Sequence, residues 1–262
     1  MSPDPNRNPT AVALVTGAAN RLGAAMAQAL AGRGYAVIVH HRGGADDARA
    51  LVDQIVATGG RAVALKADLA SRRQRAALVA RAGKPFGPLT LLVNNASSFE
   101  PDSVADLDED LWDRHFAIHV EAPAFLARDF AAQLPAGAQG NIVNIIDERI
   151  LHLTPNYFSY TLSKATLRTM THTMAQSLAP RIRVNAIGPG PTLKEKGQSD
   201  AAFARSQAAS PLGYGAGAAD ICAALLYLLD ARAVTGQMLA IDGGKSLDFP
   251  PRRGPTPRKP AP

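Results

Sequence analysis

The chain has 262 residues, 47% of them apolar, and a net charge of +6, enough length and apolar content to bury one sizeable core without forcing a split into domains. Arg252, Arg253, Arg258 and Lys259 supply four of those charges from the last eleven residues, so the body is close to neutral and a nucleic-acid partner has little support, the other basic residues being scattered and not interleaved with aromatics. No apolar run reaches the length of a membrane span and the start MSPDPNRNPT is polar, so a cytoplasmic protein with no membrane partner is expected.

Residues 1–9 are Pro-rich and aperiodic and read as a disordered tail, as do residues 249–262. Between them, over 10–248, short β-branched runs alternate with helical patterns. Strands are expected at 11–16, 36–40, 61–67, 89–95, 141–146, 181–187 and 237–242. Helices are expected at 22–33, 46–57, 71–81, 111–133, 156–179 and 218–229, and a polar lid over 192–212. Strand runs with little polar alternation, separated by helices, specify a single α/β domain: a doubly wound parallel sheet in a three-layer α/β/α arrangement. The one cysteine, Cys222, excludes an intramolecular disulfide and lies in the apolar run ICAALLYLL, where a buried structural thiol is expected rather than a nucleophile.

The first strand-to-helix turn reads TGAANRLG. In a doubly wound sheet such a turn brings backbone close to a pyrophosphate at a helix N-terminus, which makes Gly17, Asn20, Arg21, Leu22 and Gly23 candidate cofactor contacts. Arg21 stands where the usual fingerprint has its middle glycine, and would set a guanidinium beside phosphate or a polar ligand. The second strand ends in VHHRGG, with no acid before Asp46. An acid there would suit the ribose of NAD, whereas His41 and Arg42 suit the 2′-phosphate of NADPH.

Tyr160 and Lys164 are four residues apart, on one helix face and one turn apart. A phenol beside a fixed cation is expected to have a lowered pKa and to serve as a proton donor.

With TGAANRLG, Asp68-Leu69, Asn94-Asn95-Ala96, Tyr160-x-x-x-Lys164 and Gly188-Pro189-Gly190 in this order, residues 10–246 resemble a classical short-chain dehydrogenase/reductase. The resemblance implies a Rossmann fold, hydride transfer with nicotinamide, Tyr160 as acid, and Lys164 on the ribose. It also implies Asp68 and Leu69 along the adenine, Asn94, Ala96, Ser97, Pro189 and Gly190 around the cofactor, and a homotetramer formed through the two long helices.

Two positions depart from the family's usual pattern. Asp147 stands where its members carry a serine that polarises a carbonyl. A carboxylate repels a developing oxyanion, and loss of one donor there costs about a hundredfold to a thousandfold in rate. Reduction of C=N develops no oxyanion, and a carboxylate next to a tyrosine can anchor the proton or accept from a substrate N–H. Together with Arg21, the run Asn95-Ala96-Ser97-Ser98-Phe99, and Asp147 thirteen residues before Tyr160, this resembles the pteridine reductases of the family. That likeness implies a pterin between nicotinamide and Phe99, with Ser97 and Arg21 on polar groups of cofactor and substrate. Phe99 could equally anchor its loop; the alternative for Asp147, that it terminates the strand or pairs with Arg149, ranks behind the functional reading because Asp147 falls at the family's active-site position. The second departure is His119 in place of a helix Asn that supports a water relay, a task open to imidazole; the alternative is a buried histidine with a local partner. Pro191, Leu193 and Tyr214 are candidate wall residues. A carbonyl reductase and a catalytically weak nucleotide sensor or scaffold remain alternatives.

Overall fold

The computed structural model describes residues 11–194 and 197–247; both expected tails lie outside these residues. Seven strands form one sheet: β1 (Val12–Val15), β2 (Ala36–His41), β3 (Arg61–Lys66), β4 (Leu91–Asn94), β5 (Gly140–Ile145), β6 (Ile182–Pro189) and β7 (Met238–Ile241). Their order is β3-β2-β1-β4-β5-β6-β7 and every pairing is parallel. The expected Rossmann architecture is thus present. Its order reverses between β1 and β4, and a crevice opens beyond their C-terminal ends.

The helices are α1 (Arg21–Gly32), α2 (Ala45–Ala57), α3 (Arg72–Ala76), α4 (Leu78–Ala82), α5 (Glu109–Phe116), α6 (Ala122–Gln133), α7 (Phe158–Leu178), α8 (Asp200–Ala208) and α9 (Ala218–Asp230). β1, β2 and β4 are buried along their whole length, which is why they read as unbroken apolar runs. Alternate strand residues serve opposite faces: Ala13, Val15, Val37 and Val39 pack under α1, α2 and α9, and Val12, Leu14, Ala36 and Ile38 pack under α4, α6 and α7.

Three expected elements differ. The helix over 71–81 is two short helices on either side of Ala77, where Arg75 is drawn inward to the Leu69 carbonyl at 3.0 Å and to Glu121 at 2.9 Å. The helix over 111–133 contains a π-turn at Ala117–Glu121. Pro123 has no N–H to give the carbonyl four residues back, that of His119, and widened turns of this kind gather at functional sites. The lid contains α8, which buries none of its residues and so leaves no apolar period in the sequence.

Helix α7 carries the Tyr and Lys. Its first turn is held by Asp102, whose carboxylate accepts from the Ser159 N–H at 3.1 Å and from the Ser159 hydroxyl. This satisfies an otherwise orphaned donor at the positive end of the helix dipole. Tyr157, immediately before the helix, is left-handed at φ 59°, a conformation that costs a non-glycine residue free energy and requires surrounding contacts to hold it.

Candidate active site

The ends of β1, β2, β4, β5 and β6 and the lid enclose a cleft of about 710 Å³. Gly17, Asn20, Arg21, Leu22, Gly23, Arg42, Asp68, Leu69, Ala96, Ser97, Phe99, Asp147, Tyr160, Lys164, Pro189 and Gly190 all line it, so the structure brings together nearly every residue expected from sequence. His41 and Asn94 do not line it. Strand alternation explains both: their neighbours His40 and Asn95 face the cleft instead. The His41 ring is turned to the Gly43 carbonyl at 3.1 Å, and the Asn94 side chain donates to Asn144 at 2.8 Å.

Asn95 and His40 build the glycine turn. Asn95 Nδ2 donates to the Thr16 and Gly17 carbonyls at 2.8 and 3.0 Å. His40 Nδ1 accepts from the Gly17 N–H at 3.1 Å, which leaves Nε2–H to donate to the Ala67 carbonyl, also at 3.1 Å. Burial lowers the His40 pKa to about 4, so the ring is a neutral stitch joining the first three strands. Gly17, at φ +61°, passes so close to Ala96 that a Cβ would lie 2.9 Å from its Cα. This is the close-packed turn at a helix N-terminus that a pyrophosphate requires.

Arg21 takes a left-handed conformation at φ 53° and donates to the Lys194 and Leu193 carbonyls at 3.0 and 3.4 Å. It ties the glycine turn to the lid, a partner not expected from sequence. Pro191 and Leu193 are wall residues as expected; Tyr214 is 64% exposed and lies away from the wall. The lid and the C-terminal segment add Phe203, Ser206 and Lys245, which no local motif marks.

Asp147 follows β5, and each oxygen of its carboxylate accepts one hydrogen bond, which leaves further acceptor sites open. Oδ2 accepts the Tyr160 hydroxyl at 2.8 Å and Oδ1 the Arg149 N–H at 2.9 Å. Lys164 is buried and donates to the Ile145 carbonyl at 2.9 Å, with its ammonium 5.7 Å from the Tyr160 ring centroid. The expected lowering of the tyrosine pKa is overturned: burial first, then the charge and hydrogen bond of Asp147, hold Tyr160 well above its ordinary value. Lys164 is lowered to about 8 by burial, against an opposing pull from Asp147. At neutral pH the pair is therefore a protonated phenol held by a carboxylate, with a cation beside it.

His119 has both ring nitrogens occupied. Nε2 accepts the Ser98 N–H at 3.2 Å and meets the Ser97 hydroxyl at 2.9 Å, which places the proton on Nδ1, 2.8 Å from Ser163 Oγ. Burial, then the nearby Lys164 and His115, lower its pKa well below the ordinary value. The neutral ring pins the loop of Ser97 and Phe99 to α7, and neither nitrogen is left for a relay water. Phe99 stacks on Tyr157 with centroids 4.4 Å apart and meets Tyr160 edge-on at 4.8 Å, so it both anchors its loop and lines the cleft. Cys222 lies half-buried on α9 outside the cleft, its thiol pKa pushed up by burial.

The family model described as Enoyl-(Acyl carrier protein) reductase matches residues 17–246. The chain belongs to the short-chain dehydrogenase/reductase family. This makes it an oxidoreductase. It is similar in structure to FolM alternative dihydrofolate reductase 1 from Brucella canis, complexed with NADP, with a TM-score of 0.90 and 42% identity over 96% of this chain and 98% of that one. The Brucella suis protein of the same name, also in complex with NADP, gives 0.89 and 43% over 92% and 97%. A cis-4-hydroxycyclohexanecarboxylate dehydrogenase of Sinomonas cyclohexanicum is 36% identical over 89% of this chain and 95% of its own length. Among the described residues no helix is long and apolar enough to cross a membrane, and no group of metal-ligating side chains is present.

Proposed function

We propose that this short-chain reductase uses NADPH to reduce a conjugated C=N bond of a pteridine. The observation that carries the reading is the Asp147 carboxylate 2.8 Å from the Tyr160 hydroxyl, where the family's usual member offers a carbonyl-polarising serine. The two FolM proteins, at 42% and 43% identity, support the same chemistry.

The residues of the cleft fit the cofactor. The first N–H groups of α1 lack intrahelical partners and face the glycine turn, Asp68 and Leu69 line the adenosine side, and Arg42 lies at the end of β2 with no acceptor among the described residues. Bound NADPH supplies the hydride. Tyr160 holds the proton destined for the substrate nitrogen, and its raised pKa suits a nitrogen that becomes strongly basic as carbon is reduced. Asp147 fixes the direction of that O–H and accepts from substrate N–H groups. The buried Lys164 ammonium offsets the negative charge that Tyr160 takes on when the proton leaves.

The 36% identical hydroxycyclohexanecarboxylate dehydrogenase favours a second reading, a carbonyl reductase that works without the serine. Steady-state rates with dihydropteridines and with a panel of ketones separate the two. The proposal expects pteridine turnover to dominate; turnover confined to ketones refutes it. The chain is also proposed to act in the cytoplasm as a homotetramer through α6 and α7, where Phe125 and Leu162 are 41% and 39% exposed; light scattering checks the mass.

A further inference from the structure

Among the described residues five cationic side chains line the cleft: Arg21, Arg42, Arg149, Lys164 and Lys245. Three are engaged. Arg21 holds the lid carbonyls, Lys164 holds the Ile145 carbonyl, and Lys245 lies 3.6 Å from the Glu148 carboxylate and 3.3 Å from Ser206 Oγ. Among the described residues the guanidinium groups of Arg42 and Arg149 make no side-chain hydrogen bond and no ion pair, although the charge of Arg149 does act on the neighbouring Glu148 carboxylate, which Lys245 also faces. Arg42 follows β2, at the adenosine end, where the cofactor's 2′-phosphate accounts for it. Arg149 follows β5, which β1 and β4 separate from β2; three strand spacings put their backbones about 14 Å apart, and the Arg149 guanidinium is held at Tyr157 and Phe99.

Arg149 is also fixed in place. Its N–H is bonded to Asp147, so its backbone is locked to the reacting end of the cleft. Its guanidinium lies 4.6 Å from the Tyr157 ring centroid and 5.4 Å from that of Phe99. Tyr157 is the residue held left-handed at the start of α7, so a strained backbone supports this stack. A guanidinium resting on aromatic rings keeps N–H donors at its edge, in the planar fork that matches a carboxylate.

We propose that Arg149 is the receptor for a carboxylate carried by the substrate beyond the ring that is reduced. The substrate class is then a pteridine with an acidic side chain, in preference to one with a neutral polyol side chain. This rests on the pteridine reading above.

The test compares kcat/KM for 7,8-dihydrofolate, whose side chain is acidic, and 7,8-dihydrobiopterin, whose side chain is uncharged, at saturating NADPH. Wild type, Arg149→Gln and Arg149→Lys are measured at low and high ionic strength. A charged hydrogen bond of this kind predicts a loss of about 10- to 100-fold on dihydrofolate in Arg149→Gln, expressed mainly in KM. That loss should exceed the loss on dihydrobiopterin at least about tenfold, with partial recovery in Arg149→Lys. Equal losses on both substrates, or none on dihydrofolate, overturn the assignment while leaving the pteridine reading intact. Wild-type protein that reduces neither compound overturns that reading and the assignment with it. Should Arg149→Gln not fold, wild type decides: dihydrofolate turnover must weaken with added salt more than dihydrobiopterin turnover, and equal salt responses refute the contact.

Discussion

Replacing Asp147 with serine restores the family's usual hydroxyl and removes the carboxylate in one step. The carboxylate accepts the Tyr160 hydroxyl at 2.8 Å, and a hydrogen bond to a charged group contributes about 1.5–3 kcal/mol. If that bond orients the proton donor, dihydropteridine reduction falls about 10- to 150-fold in kcat/KM. A serine hydroxyl can donate to an oxyanion, a contact worth about 2.7–4 kcal/mol, so ketone reduction should rise by as much as about a hundredfold to a thousandfold. The acid–base behaviour must move too. Asp147 raises the pKa of Lys164, so its loss shifts the alkaline limb of the pH profile to lower pH. NADPH consumption, followed with both substrates across the neutral and alkaline range, reads all three effects. Unchanged dihydropteridine rates with an unmoved alkaline limb would show that Asp147 only caps the turn of Arg149 and does not serve Tyr160.

In wild type, the Lys164 cation is fully present below its lowered pKa of about 8 and is lost as pH rises through it, so kcat/KM should decline with a limb near pH 8; a limb appearing only near pH 10 would refute the role given to Lys164. Arg42→Ala should weaken NADPH binding about 10- to 100-fold and leave NADH binding little changed, which fluorescence titration with each cofactor measures; equal effects on both would remove Arg42 from the 2′-phosphate. His119→Ala releases the Ser98 N–H and Ser163 hydroxyl from a buried ring and should cost about 1–3 kcal/mol of stability while raising KM for pteridine. Denaturant titration and steady-state kinetics check this, and a variant as stable as wild type would mean the loop is held by Phe99 alone.

Much of the architecture was legible because buried parallel strands leave a direct trace. Their apolar runs, separated by helices and punctuated by Gly17, Gly34 and Gly60, specify the layers without reference to any contact. Tyr160 and Lys164 were legible because four residues of helix fix their shared face. What local pattern could not convey was which of two adjacent polar residues faces the cleft. His40 with His41, and Asn94 with Asn95, differ only in the parity of a strand whose phase is set when it pairs with its neighbours. Nor could α8 be read, since it buries nothing and leaves no periodic trace.

The sequence by itself determined the order of elements, the cofactor turn and the side chains proposed to react, since each depends on residues near one another in the chain. Tertiary structure alone decided their protonation. Tyr160 sits one helical turn from a lysine, which by itself argues for a lowered pKa; burial and an aspartate thirteen residues away raise it instead. Desolvation and the charge and bond of Asp147 act through space, and together they outweigh the lowering by Arg149 and Ser97 because the folded site excludes the water that would otherwise stabilise a phenolate.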